Sequence, residues 1–222
     1  MATLVIADDH ALVRVGLRRV LEASGHLVMG EVGDGLQVID VVEQARPDVL
    51  LLDLGLPGLH GLDVLRDVTR QCPGTKVLVV SAYNRGEFVV AALRHGAAGY
   101  VLKGAAADDL LTAIDEVTRG GYYVSPPLSG SYSPDVVGPD APPDPYEQLS
   151  LRERQVFHLM AEGLSNTDVG VHLYVSTRTA ETHRASVMRK LGLKSQTDVV
   201  LYALRRGILA LDDAAGAPRL DE

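Results

Sequence analysis

Four places along the chain set reactive side chains directly after short apolar runs. Asp8-Asp9 follow Leu4–Ala7, Asp53 follows Val49–Leu52, Ser81 follows Val77–Val80, and Lys103 follows Gly99–Leu102. Three carboxylates brought together repel one another unless a cation shares the site. Hard oxygen donors without nitrogen or sulfur point to Mg2+. A lysine and a hydroxyl beside such a cluster suit a transferred phosphoryl group, whose equatorial oxygens need positive charge and hydrogen-bond donors. Any one of these acids reads equally well as a solvated loop residue. The argument rests on all four positions coinciding with the ends of apolar runs.

The elements that must hold them follow from the same pattern. Leu4–Ala7, Leu27–Val32, Val49–Leu52, Val77–Val80 and Gly99–Leu102 read as strands, with helix candidates at 11–23, 36–45, 61–71, 86–95 and 106–119. Near-continuous apolar strands indicate a sheet buried on both faces, and five βα units predict a doubly wound five-stranded parallel sheet of flavodoxin-like form. In that architecture ligands sit outside the C-terminal strand ends, where the acids, the hydroxyl and the lysine fall.

From Leu149 onward no strand pattern occurs. Ser150-x-x-Glu153, Ser165-x-x-Asp168, Ser176 and Ser195-x-x-Asp198 each open a helix, and Gly163 and Gly207 close the first and last. Four short helices, with a tight link Leu173–Ser176 between the second and third, predict a compact all-α helix-turn-helix module. Between the halves lie seven of the eleven prolines, from Pro126 to Pro145. The expected layout is a domain at 1–124, an extended Pro-rich linker at 125–148, the helical module at 149–211, and an unpacked tail at 212–222.

Charge separates these segments. The chain carries −8 overall, yet residues 149–211 hold nine Lys/Arg against five Asp/Glu, and every other segment is acidic. Only the helical module favours a phosphate backbone. The single cysteine, Cys72, excludes an intrachain disulfide and a zinc-type thiolate cluster. With no signal-peptide pattern at Met1–Asp9 and no long apolar run, the expectation is a cytoplasmic protein without membrane association.

The set Asp8-Asp9, Asp53-Leu54-Gly55-Leu56-Pro57-Gly58, Ser81-Ala82 and Gly99-Tyr100-Val101-Leu102-Lys103 closely resembles the receiver domain of two-component response regulators. The resemblance implies that Asp53 accepts a phosphoryl group from a phosphohistidine of a sensor histidine kinase. It implies Mg2+ held by Asp9, Asp53 and the Gly55 carbonyl, with Asp8 assisting through water. Ser81 and Lys103 would hold the phosphoryl oxygens, and Tyr100 would be the aromatic switch that turns inward with Ser81.

Helix geometry gives a separate reading of residues 177–191. At 100° per residue, Ala180, Val187 and Leu191 fall within about 20° of one line and should face a core. Arg178, Thr182, Ala185 and Arg189 fall opposite, a small, polar and basic stripe suited to a major groove. This stretch, with Leu149–Arg154 and Ala161–Asn166, resembles the LuxR-type DNA-binding domain. Both resemblances together identify a member of the NarL/FixJ family. The second resemblance implies base-facing positions at Glu181, Thr182 and Ala185. It implies phosphate contacts from Asn166, Thr177, Thr179, His183, Arg184 and Lys190. Glu181 either accepts from cytosine N4 or is a solvated helix charge. Gly170 stands where alanine is common in the supporting helix, at a helix-propensity cost of roughly 0.5–1 kcal/mol. The last helix shows more apolar surface than one face needs, and the family places a dimer contact there: Val199, Val200, Tyr202 and Ala203.

These readings predict a transcription regulator rather than an enzyme, the receiver catalysing only its own phosphoryl transfer and autodephosphorylation. Its partners would be a sensor histidine kinase, promoter double-stranded DNA, a second copy when phosphorylated or DNA-bound, and RNA polymerase. An aspartyl-phosphate phosphatase is the rival class, but such enzymes usually carry a second aspartate two residues after the nucleophile, where this chain has Gly55, and a cap insertion, which is missing. An adaptor receiver acting only through proteins is the third reading, separable by salt-dependent DNA binding.

Overall fold

The computed structural model describes residues 1–128, 145–206, 208 and 209. The chain divides into two compact units, Met1–Gly138 and Pro139–Glu222. Most of the Pro-rich stretch, residues 129–144, and the tail at 212–222 lie outside the described residues.

In the first unit the strands are β1 (Thr3–Ala7), β2 (Leu27–Val32), β3 (Val49–Leu52), β4 (Lys76–Ser81), β5 (Gly99–Leu102) and β6 (Tyr123–Val124). They form one all-parallel sheet in the order β2-β1-β3-β4-β5-β6. The helices are α1 (Ala11–Ala23), α2 (Gly35–Ala45), α3 (Gly61–Gln71), α4 (Gly86–Arg94) and α5 (Ala107–Thr118). Leu21 of α1 and Leu110, Ala113, Ile114 and Val117 of α5 pack with Leu4, Ile6, Leu51, Leu78 and Val101 in one buried cluster. Alternate strand residues, Val5, Leu50, Leu52 and Val79, are equally buried and point to the opposite face, because side chains alternate along a strand. The sheet is therefore covered on both sides, as the apolar runs predict.

The sheet has six strands where the sequence indicates five. Tyr123 pairs with Gly99 and Val124 with Tyr100. Glycine at position 99 permits this, since a β-carbon there would stand 2.6 Å from the Tyr123 carbonyl oxygen. The chain stays attached beyond β6: Ser125 is buried, its N–H donates to the Tyr100 carbonyl at 2.9 Å, and its Oγ accepts from the Leu102 N–H at 3.1 Å. A 3-10 turn at Pro126–Leu128 then buries Leu128. The expected linker start at 125 is thus part of the packed α/β unit.

The second unit contains α6 (Leu151–Ala161), α7 (Asn166–His172), α8 (Thr177–Leu191) and α9 (Gln196–Arg205). Each begins at the predicted serine: the hydroxyls of Ser150, Ser165, Ser176 and Ser195 accept from the backbone N–H three residues on. Gly192, at φ 67°, ends α8 in the left-handed conformation that glycine adopts without penalty. The core gathers Val156, Phe157, Met160, Val169, Ala180, Val187, Leu191, Val199 and Ala203. Tyr146 joins it from a 3-10 turn at Pro145–Gln148, fully buried and edge-on to Phe157 at 5.3 Å between ring centroids. The expected linker end at 148 is therefore also packed: burying an apolar side chain of this size stabilises by roughly 1.5–3 kcal/mol, enough to fold the preceding turn onto the bundle. Gly170 has a packing reason as well, because a β-carbon there would meet the Val175 carbonyl oxygen at 3.0 Å where the turn crosses α7.

Candidate functional site

The parallel register gathers the strand-end residues onto one edge. Asp53 N–H donates to the Ala7 carbonyl at 2.8 Å, Asp8 N–H to Val32 at 3.0 Å, and Lys103 N–H to Ser81 at 2.9 Å. Asp8, Asp53, Ser81 and Lys103 thus have their backbones fastened to a neighbouring strand. Helix α3 closes on the site from below, and Gly61 is needed there: a β-carbon would stand 2.4 Å from the Asp53 carbonyl oxygen.

The side chains converge. Lys103 Nζ lies 2.8 Å from Asp53 Oδ2 and 2.8 Å from Asp8 Oδ2. Both carboxylates are buried, whereas the Asp9 side chain is one-third exposed. Burial pushes the Asp53 carboxyl above its ordinary pKa, with Asp8 adding to the rise and Lys103 opposing it. Burial pulls the Lys103 ammonium down, but its bonds to Asp53 and Asp8 outweigh that and leave it raised. The pocket is thus an ammonium clamped between two desolvated acids. Ser81 is buried and its Oγ accepts from Tyr83 N–H at 3.3 Å. Tyr100 is turned fully inward, its phenol donating to the Tyr83 carbonyl at 2.9 Å, and burial holds its pKa well above the usual range. Gly55 stands beside the acid: a β-carbon there would lie 3.4 Å from Asp53 Oδ2, so glycine keeps that approach open. An open cleft of about 470 Å3 runs from Ser81, Asn84 and Lys103 to Ser125 and Pro126.

Asp8, Asp9, His10 and Asp53 each offer a ligand atom, all within 4.8 Å of one another. Such a cluster fits a divalent cation, since its three carboxylates supply hard oxygens at the required spacing. Two contributors escaped sequence reasoning. His10 was readable as the neighbour of Asp9, and Arg14, whose Nη1 donates to the Asp8 carbonyl at 2.6 Å, gave no local signal.

In the helical unit, α8 is exposed along Thr177, Arg178, Thr179, Glu181, Thr182, Ala185, Arg189 and Lys190, while His183 and Arg184 are half-buried. Ala180, Val187 and Leu191 face the core, as the helical geometry predicts. The basic residues differ in their freedom. Arg178 makes no ion pair among the described residues. Arg184 is drawn into the fold, donating to the Leu164 carbonyl at 3.3 Å, Asn166 Oδ1 at 3.4 Å and Gln196 Oε1 at 2.6 Å. Lys190 is exposed but held at its tip, its Nζ 2.6 Å from buried Glu153 and 3.3 Å from the Gln148 carbonyl. Its ammonium ties α8 to α6, while one-third of its side chain stays exposed.

The expected dimer residues also separate. Val199 and Ala203 are fully buried in the core of their own unit and offer no surface to a partner. Tyr202 is half-buried against Phe157, with ring centroids 5.7 Å apart. The outward stripe of α9 is instead Thr197, Val200, Leu201 and Leu204, with Leu201 45% exposed. Among the described residues no helix is long and apolar enough to cross a membrane.

A parallel α/β domain with an acid, lysine and hydroxyl pocket at its strand ends, joined to a helix-turn-helix module, defines the class: a receiver linked to a DNA-binding output. Residues 4–115 match the response regulator receiver domain, and residues 147–203 match the bacterial regulatory proteins of the luxR family. The chain belongs to the two-component response regulators of the NarL/FixJ type. It is 38% identical over 213 residues to the oxygen regulatory protein NreC of Staphylococcus carnosus, covering 93% of this chain and 98% of that one. Among solved structures it resembles RcsB of Salmonella enterica serovar Typhimurium bound to promoter P1flhDC in the presence of phosphomimetic BeF3−. That likeness has 27% identity and TM-score 0.58, over 93% of this chain and 98% of that one. A structure of two RcsB dimers on two parallel DNAs matches with 26% identity and TM-score 0.56, over 92% of this chain and 98% of that one.

Proposed function

We propose that Asp53 takes a phosphoryl group from a phosphohistidine of a sensor histidine kinase, and that this event promotes dimerisation and promoter binding through α8. The observation carrying the reading is Lys103 Nζ at 2.8 Å from both Asp53 and Asp8, within a carboxylate cluster at the strand ends. Asp53 Oδ attacks phosphorus; the new O–P bond forms as the P–N bond breaks, and its electron pair stays on the imidazole, which takes up a proton. Asp8, Asp9, Asp53 and the Gly55 carbonyl would hold Mg2+, which when bound neutralises charge on the acids and the phosphoryl oxygens. Lys103 passes from the carboxylates to a phosphoryl oxygen, Ser81 donates to another, and inward Tyr100 follows Ser81. Two features support the DNA-binding half: the exposed, basic stripe of α8 and the DNA-bound RcsB relatives. Thr177, Arg178, Thr179, Glu181, Thr182, His183, Ala185 and Arg189 form the contact set, with Asn166 and Arg184 as bracing residues at its edge.

The domains implied are a receiver through Leu128 and a DNA-binding module from Tyr146. The test compares gel-shift titrations of wild type and Asp53→Asn on target promoter DNA, each with and without a small phosphodonor and Mg2+. Wild type is expected to bind at least ten-fold more tightly after phosphodonor treatment, and the variant not to respond. Equal affinity of Asp53→Asn and treated wild type overturns the proposal.

A further inference from the structure

The divalent cluster contains a nitrogen. His10 lies directly after Asp9, and its Nδ1 stands 2.6 Å from Asp9 Oδ1 and 3.4 Å from Asp8 Oδ1. Adjacent ligand atoms on a six-coordinate ion of Mg2+ size lie about 3 Å apart, and opposite ones about 4.2 Å. The 2.6 Å contact is an Nδ1–H···O bond to Asp9, so an ion taken up here would displace that proton to water and take its place, and the whole four-residue set falls within 4.8 Å. Among the described residues the ring pairs only with Asp8 and Asp9. His10 caps α1 through its backbone, without a side-chain cap bond, and its own N–H donates to Asp8 Oδ1 at 2.9 Å. That backbone bond holds the residue against the cluster and leaves the imidazole turned toward the acids.

We propose that His10 contributes its Nδ1 as a ligand, giving this receiver pocket a preference for borderline first-row divalent ions such as Co2+ over Mg2+. The inference rests on the metal-assisted reading of the pocket above. Three carboxylates and a carbonyl alone form an all-oxygen site of the kind hard Mg2+ takes. Replacing one water with an imidazole adds a donor that Mg2+ binds poorly and ions further along the Irving–Williams series bind well. Because His10 is 66% exposed at the side chain, it can move onto an ion or off it without disturbing the core. Asp8 and Asp53, both buried, remain the fixed part of the site.

The test uses full-length protein with Co2+ or Mg2+ alone, measuring affinity by calorimetry and hyperfine-shifted imidazole resonances by NMR of the Co2+ form. Wild type, His10→Ala and Asp9→Asn are compared. The expected result is that His10→Ala loses the shifted imidazole signals and weakens Co2+ about ten-fold, the scale seen when metal-site partners are removed, while Mg2+ affinity changes less than about two-fold. Asp9→Asn should weaken both ions. If both ions bind and depend on Asp9, yet His10→Ala changes neither the spectrum nor the Co2+ to Mg2+ ratio, His10 is not a ligand and the pocket reading stands. If neither ion's binding depends on Asp9, the metal-assisted reading falls with it.

Discussion

Replacing Glu153 with alanine removes three contacts made by a side chain only 6% exposed. Its Oε2 accepts from the Ser150 N–H at 2.7 Å and lies 2.6 Å from Lys190 Nζ, and its Oε1 accepts from Ser186 Oγ at 2.8 Å. Losing the capping box costs about 0.5–1 kcal/mol and the charge-assisted bonds about 1.5–2 more, since Lys190 can regain water on release. The expected loss is about 2–3 kcal/mol. The same contacts also shift the ionisation of this carboxyl. Burial alone would raise this carboxyl, but the bonds from Lys190, Ser150 and Ser186 win and depress it from 4.5 to about 2. A depressed folded-state pKa means stability that is complete above the unfolded value and lost as pH falls from about 4.5 through about 2. Its ceiling is about 3 kcal/mol, and the one-third exposure of Lys190 screens it toward about 2. Hydrogen exchange of the full-length protein reads this directly: protection factors in α8 should fall about 30- to 150-fold in Glu153→Ala and about five-fold in Glu153→Gln. Peptides of the receiver serve as the internal control. Unchanged α8 protection in Glu153→Ala, or an equal drop in both units, refutes the reasoning.

Two further outcomes follow from the helical unit. In DNA titrations across salt, Arg178→Ala should reduce the slope of log affinity against log salt by about 0.9, one lost phosphate neutralisation, whereas Lys190→Ala should destabilise the unit and leave the slope unchanged. On α9, Leu201→Glu should keep the fold and weaken cooperative dimer binding to paired half-sites, read by gel shift. Val199→Glu should instead unfold the unit, because an unpaired charge would enter a fully buried position.

The strands and helices were legible because their signals are local. Leu27–Val32, Val49–Leu52 and Gly99–Leu102 stand where the apolar runs end, and the four serines open their helices as read. Strand β6 was not legible, since two residues carry no period and the glycine that admits them lies at position 99. Tyr146 was hidden by its proline-rich surroundings: one aromatic among prolines gives no pattern until a bundle is there to receive it. The receiver pocket could be assembled from strand ends because a parallel sheet brings all such ends together. The fate of Lys190 could not, because its partner Glu153 lies 37 residues away. On α9 a fully apolar stretch hid which side faces inward, so buried Val199 and Ala203 were grouped with half-buried Val200 and Tyr202, and exposed Leu201 was left out.

The attachment of Ser125 to β5 bears on how such proteins can be recombined. The residue that begins the exit from the receiver shares hydrogen bonds with Tyr100 and Leu102, on the strand that leads into Lys103. A fusion made after Val124 would keep the pocket residues yet discard the Ser125 Oγ bond to Leu102 and the buried Leu128. Chimeras that exchange output modules should therefore be joined after Leu128, and a graft onto a foreign receiver should carry Tyr123–Leu128 along with a glycine to accept it.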